Sequence, residues 1–226
     1  MIMRDMHLHT DFSDGENTPW EMAQAACELG YREICFTDHV RASSEWLPEY
    51  QKECRRVAEH FCEKMVVFCG VEAKVCDFHG KLDIPEKLEA GTLQIAALHR
   101  LPDGLGGFVR KQDLCSYGET VVDWWFRSLQ GLRENERISR LAHPFSLVPY
   151  MPVSLNESFW EKVITYMEQG SYLIEYNLKY DNSFVPTTFW EHFQNRIVLG
   201  SDSHSAKALA QVYKQSKLVT ETIFKA

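Results

Sequence analysis

No apolar run in the 226-residue sequence approaches the ~20 residues that a membrane-spanning helix needs, so no transmembrane segment is expected. The amino-terminal stretch MIMRDMHLHTDFSDG lacks the apolar core of an export signal. Basic charge is scarce: 24 Lys and Arg stand against 32 Asp and Glu, a formal net charge of −8. An acidic surface disfavours general nucleic-acid binding, although a local basic pocket still suits a phosphate. The seven cysteines are odd in number and include no CxxC, which favours free thiols in a reducing cytosol over a disulfide framework. No repeat, low-complexity tract or Pro/Gly/Ser linker divides the chain. These absences point to one cytoplasmic domain over residues 1–226, without a membrane partner.

What is present is an ordinary globular balance, 45% hydrophobic and 25% charged. Short apolar runs predict strands near 3–7, 33–37, 66–73, 93–98, 138–142, 172–176 and 197–200. Helices fit between them. Residues 18–30 open on Thr18-Pro19, a cap followed by proline at the first helical position, and close at Gly30. Residues 47–64 carry Tyr50, Cys54, Val57 and Phe61 at helical spacing. Further helices are predicted at 119–134, 156–169, 186–195 and 205–215, with a turn and short helix within 76–90. The order is βα repeated about seven times, an α/β chain with a parallel sheet. Periodicity alone does not separate a closed barrel from an open, doubly wound sheet.

The informative residues follow the strands. After the first come His7-Leu8-His9, Asp11 and Asp14, and after the second Thr37-Asp38-His39. The third ends in Gly70-Val71-Glu72, the fourth at His99, the fifth at Ala142-His143-Pro144 and the seventh at Ser201-Asp202-Ser203-His204. Six of the nine histidines thus lie at predicted strand carboxyl ends, where loops of parallel βα architectures converge on ligands. Imidazoles with carboxylates suit divalent Zn, Mn or Fe. In HxH on a strand, both rings project from one face and can reach one ion.

Each element alone has a bland reading. HxH also suits a surface or capping role, Asp14 in Ser13-Asp14-Gly15 suits a turn, and Asp38-His39 or His143-Pro144 carries little information. Glu72 is more unusual, since Glu is depleted in strands. The series of strand-end positions is what points to a metal site. His60 and His192 fall in predicted helices and read as solvated or structural, whereas His79 lies in a loop near the same face. Trp124-Trp125-Phe126 reads as core.

Taken in order, these motifs resemble the PHP family, named for polymerase and histidinol phosphatase. The matching residues are His7-Leu8-His9-Thr10, Ser13-Asp14-Gly15, Thr37-Asp38-His39, Gly70-Val71-Glu72, Leu98-His99, Ala142-His143-Pro144 and Gly200-Ser201-Asp202-Ser203-His204. The resemblance implies a distorted (βα)7 TIM-like barrel. It also implies three divalent ions at the strand carboxyl ends. His7, His9, Glu72 and Asp202 would hold the first, Glu72 would bridge to a second completed by His99 and His143, and Asp14, His39 and His204 would hold the third. Some family members have His where this chain has Asp14, and either residue ligates.

A site of this kind suits phosphoester hydrolysis by a hydroxide bridging two ions, with the ions clamping the phosphoryl oxygens. Arg41, Arg100 and Lys179 are placed to neutralise the remaining phosphate charge. The sixth strand carries no ligand, so its end, Glu175-Tyr176-Asn177-Leu178-Lys179, is expected to face substrate. Asp202 or His204 would double as general acid, and Glu72 would serve the reaction as the bridging carboxylate. The expected activity is a metal-dependent phosphatase acting on a small phosphorylated substrate, histidinol phosphate first. The alternatives are a nuclease or nucleotide phosphodiesterase of the same family, a non-catalytic metal-binding regulatory domain, and a metal hydrolase of another barrel family. The last commonly uses a strand-borne Lys and a single late Asp, whereas Glu72 and Asp202-Ser203-His204 occupy those places here.

Overall fold

A computed structural model describes residues 2–223. The ends of the expected 1–226 domain, residues 1 and 224–226, lie outside the described residues. Seven strands pair in parallel: β1 (Arg4–Leu8), β2 (Glu33–Val40), β3 (Val66–Lys74), β4 (Leu93–Ala97), β7 (Arg140–Ala142), β8 (Leu173–Asn177) and β9 (Ile197–Gly200). They stand side by side in chain order. Between β4 and β7 the chain makes a small antiparallel hairpin of β5 (Leu101–Pro102) and β6 (Phe108–Val109). The helices are α1 (Pro19–Leu29), α2 (Leu47–Phe61), α3 (Thr120–Arg133), α4 (Glu157–Glu168), α5 (Thr187–His192) and α6 (Ala206–Ile223).

The sheet curls until its two edges meet. Past the end of β9, the Asp202 amide donates to the His7 carbonyl at 2.9 Å and the His9 amide donates to the Ser203 carbonyl at 3.0 Å. Leu8 and Ser203 form a parallel bridge. The fold is therefore a nearly closed seven-stranded α/β barrel. Among the described residues, no helix is long and apolar enough to cross a membrane.

Local chemistry explains the elements. α1 starts on a capping box: the Glu21 amide donates to Thr18 Oγ1, the Glu21 carboxylate accepts from the Thr18 amide, and Pro19 occupies the first turn. It ends at Gly30, whose φ of 90° suits a residue without Cβ. α2 buries Tyr50, Cys54, Val57 and Phe61 on one stripe, as their spacing predicts. Trp125 on α3 is fully buried and packs against Phe126, Phe145 and Phe159, with Phe126 buried and Trp124 partly buried beside it.

Two stretches differ from the sequence reading. The 76–90 crossover forms turns and no helix, because Gly80 at φ 74° and Pro85 each interrupt helical geometry. β2 runs on to Val40, so Asp38 and His39 sit inside a paired strand rather than after it.

Candidate metal centre at the strand carboxyl ends

The extension of β2 aligns the site. His39 pairs in register with Glu72 on β3, so both project from the same face of the sheet. At the end of β1, His7 and His9 project together, and their Nε2 atoms lie 3.1 Å apart. Glu72 is buried at the centre. Its Oε1 lies 2.9 Å from His143 Nε2 and 3.3 Å from His99 Nε2, and its Oε2 lies 2.7 Å from His39 Nδ1. The same carboxylate is 3.5 Å from His7 Nε2 and 3.7 Å from His9 Nε2. Asp202 Oδ1 is 3.3 Å from His9 Nε2. Asp14 stands at the outer edge, 3.4–3.5 Å from nitrogens of His9, His39 and His204.

All nine residues expected to ligate metal thus fall in one continuous cluster. Three groups have donor atoms within 4.8 Å of one another: His7 with His9 and Glu72, His39 with Glu72 and His99, and His9 with Asp14, His39 and His204. His9 and His39 each enter two groups, so the side chains as they stand are shared more widely than the sequence-based partition assigns.

Burial and neighbouring charges shift the groups of the cluster in different directions. Burial opposes ionisation of His7, but Glu175 and Glu72 outweigh it and hold the imidazolium well above its ordinary range. Burial likewise opposes the Glu72 carboxylate, but His99, His7 and the contacts to His143 and His39 hold it well below its usual range. For Asp202 the contact to His9 and the charge of His7 overcome burial and lower the carboxyl. His9 has the opposite outcome: burial pushes it down to about 4, so it is a neutral donor. Neutral imidazole and ionised carboxylate are the states that coordinate a cation.

The residues fit divalent ions on local grounds. His9 Nδ1 is buried and lacks a hydrogen-bond partner among the described residues, and Glu72 Oε2, though 2.7 Å from His39 Nδ1, makes no hydrogen bond of good geometry. Unpaired buried polar atoms are costly, and a cation would satisfy both. His143 at φ 28° and Asp202 at φ 54° are the two non-glycine residues with positive φ among those described. Such backbone persists where the surroundings enforce it, and it clusters at functional sites.

A supporting layer lies under the donors, and one of its members, Glu175, expected to face substrate at the end of the sixth strand, is buried instead. Glu175 on β8 lies beneath the cluster, with Oε1 2.8 Å from His7 Nδ1 and Oε2 accepting from the His143 amide at 2.6 Å. It thereby orients two candidate ligands. Gly200 makes room for it, since a Cβ there would stand 1.9 Å from Glu175 Oε1. Asp38 accepts from the Thr10 amide, Thr10 Oγ1 and Ser13 Oγ, which fixes the turn that carries Asp14. Asp5 accepts from the His7 and Ser201 amides, tying β1 to the chain after β9. The signal for Glu175 was the one noticed for Glu72, an acid inside an apolar strand.

The residues expected to meet substrate divide. Arg41 and Arg100 line a cleft of about 510 Å³ that opens onto His39, Glu72 and His99. Lys179 Nζ lies 2.8 Å from Asp202 Oδ2. Asn177, expected to face substrate, is instead buried: its Nδ2 donates to Glu175 and its Oδ1 accepts from the Lys179 amide. Its role in the structure is to hold Glu175 and the loop of Lys179. His79 lies outside the donor groups, and its amide donates to Asp77 in a local turn.

A parallel barrel with a buried histidine–carboxylate cluster at its carboxyl end defines a class of candidate metal-dependent proteins. The chain belongs within it to the PHP domain family, whose profile it matches over residues 5–177. It is 33% identical over 153 residues to a probable histidinol-phosphatase of Deinococcus radiodurans, a match spanning 61% of this chain and 56% of that protein. It is 28% identical over 229 residues to a probable phosphatase of Acetivibrio thermocellus, spanning 96% of this chain and 86% of that one. Its fold resembles histidinol phosphate phosphatase of Lactococcus lactis, solved with zinc, L-histidinol and phosphate. That likeness has a TM-score of 0.64 at 19% identity and covers 95% of this chain and 93% of the other.

Proposed function

We propose that this chain is a metal-dependent phosphatase that hydrolyses a small phosphomonoester, with L-histidinol phosphate as the first substrate to test. The observation that carries the reading is the position of Glu72, one buried carboxylate flanked by His7, His9, His39, His99 and His143. That arrangement suits a carboxylate shared between ions. His7, His9, Glu72 and Asp202 would hold one ion, Glu72, His99 and His143 a second, and Asp14, His39 and His204 a third. When bound, ions at such a donor set lower the pKa of water and neutralise phosphoryl charge.

The chain's own groups supply the rest. Arg41 and Arg100 offer cations at the cleft, and Lys179 offers one beside Asp202. Asp202 and His204 would each serve as an ion ligand, which leaves neither with a proton for the leaving group. Asp202 is held ionised by His9 and His7, and the His204 side chain is 27% exposed at the mouth. Its Nδ1 lies 2.8 Å from the Asp202 carbonyl, a contact that orients the ring.

The test is phosphate release from L-histidinol phosphate by the chain supplied with Mn, Zn or Fe. A kcat/KM on the order of 10⁴ M⁻¹s⁻¹ or better is expected of an enzyme on its own substrate. Release from other phosphomonoesters alone would reject the named substrate. Release from none of them would reject the phosphatase reading.

A further inference from the structure

With the phosphoryl group met by the ions and by Lys179 beside Asp202, the cations of the cleft beside the metal cluster remain for another anion. Beyond the donor residues its wall holds Arg41, Lys74, Arg100 and a single acid, Asp83. Three cations against one carboxylate gather at one mouth of a chain whose net charge is −8. Lys74 follows Glu72 by two residues on β3, so strand alternation sends both side chains to the same face. Its Nζ stands 4.5 Å from the centre of the Phe108 ring and 3.6 Å from Asp83 Oδ2. Asp83 Oδ1 accepts from the Ala42 amide at 2.9 Å, so the one acid also ties down the loop of Arg41. Arg41 and Arg100 make no ion pair with a carboxylate among the described residues. The volume, about 510 Å³, is that of a small-molecule site.

We infer that this cleft is a subsite for a second anionic group, so that the substrate is a phosphomonoester whose leaving group itself carries a carboxylate or a second phosphate. The inference rests on the phosphatase reading for which end of the ligand meets the metal cluster. A ligand with its phosphoryl group at Glu72 and His99 extends along β3 toward Lys74, where Arg41 and Arg100 flank its far end. Guanidinium and ammonium donors gain from a charge-assisted hydrogen bond to such an anion. A cationic leaving group gains nothing there and meets like charge, which places L-histidinol phosphate, with its ammonium group, at a disadvantage.

Binding tests this without turnover. Calorimetry on the metal-loaded chain would compare propylphosphonate, phosphonopropionate, propane bisphosphonate and aminopropylphosphonate, which share a chain length and differ at the far end. One or both doubly anionic ligands should bind at least about tenfold tighter than propylphosphonate, the scale of one charge-assisted hydrogen bond. Which of the two gains identifies carboxylate or phosphate as the second group. Aminopropylphosphonate should bind most weakly, and Lys74→Gln should cut the anionic preference severalfold. Equal affinity across the set, or tightest binding of aminopropylphosphonate, would overturn the inference. Phosphate release measured in parallel separates the two ideas. Release without the anionic preference leaves the phosphatase reading and removes the subsite, and the preference without release does the reverse.

Discussion

A carboxylate two positions before a buried asparagine decides how the donor cluster is held. Glu175 contacts His7 Nδ1 and the His143 amide, and Asn177 Nδ2 donates to it in turn. Glu175→Gln keeps the shape but loses the charge that fixes the His7 ring. The expected outcome is a loss of divalent-ion affinity of about 10- to 100-fold, read by competition with a coloured chelator. Unchanged affinity would show that the packing of His7 alone orients it. The clustering of the nine candidate donors was legible in the sequence because each is a histidine or acid at or near a strand end. Glu175, Asp38 and Asp5 were less legible because their partners lie far along the chain: Asp5 meets Ser201, and Glu175 meets His7. Asn177 shows the reverse failure. Its place at a strand end suggested exposure to substrate, and only the burial of Glu175 beside it explains why it faces inward.

Among the elements, α3 anchors the outer layer. Trp125 is fully buried, stacked on Phe159 with ring centroids 6.1 Å apart and near Phe145 at 6.4 Å. Trp125→Ala should cost about 3–5 kcal/mol of stability through lost burial and a residual cavity. Urea unfolding should show it as a lower midpoint at an unchanged slope. A loss under about 1 kcal/mol would mean that the surrounding aromatics collapse into the space. The seven parallel strands were legible because each is a short apolar run between turn signals. The β5–β6 hairpin was not, since its strands are two residues each and give no period to read. The crossover after β3 was legible only as ambiguity. The sequence reading placed a turn and a short helix there, and Gly80 and Pro85 interrupt that helix.

At the scale of the whole molecule, barrel closure and the candidate metal centre are built from the same residues. The bonds that close the sheet, His9 amide to Ser203 and Asp202 amide to His7, place both rings of His7-Leu8-His9 opposite Asp202. The strand pattern could not distinguish this barrel from an open sheet, because closure rests on residues after β9 rather than on any strand's composition. The family resemblance carried that distinction, through the order of its motifs. The account's central claim is that this face holds a multinuclear metal centre organised by Glu72. The most direct measurement is the metal content of the Mn- or Zn-loaded chain after gel filtration, beside a folded His7→Ala/His9→Ala variant checked by circular dichroism. The account predicts about three ions per chain in the unaltered protein and a clear loss in the variant. Less than one ion per chain in the unaltered protein, or equal content in the two, would contradict it.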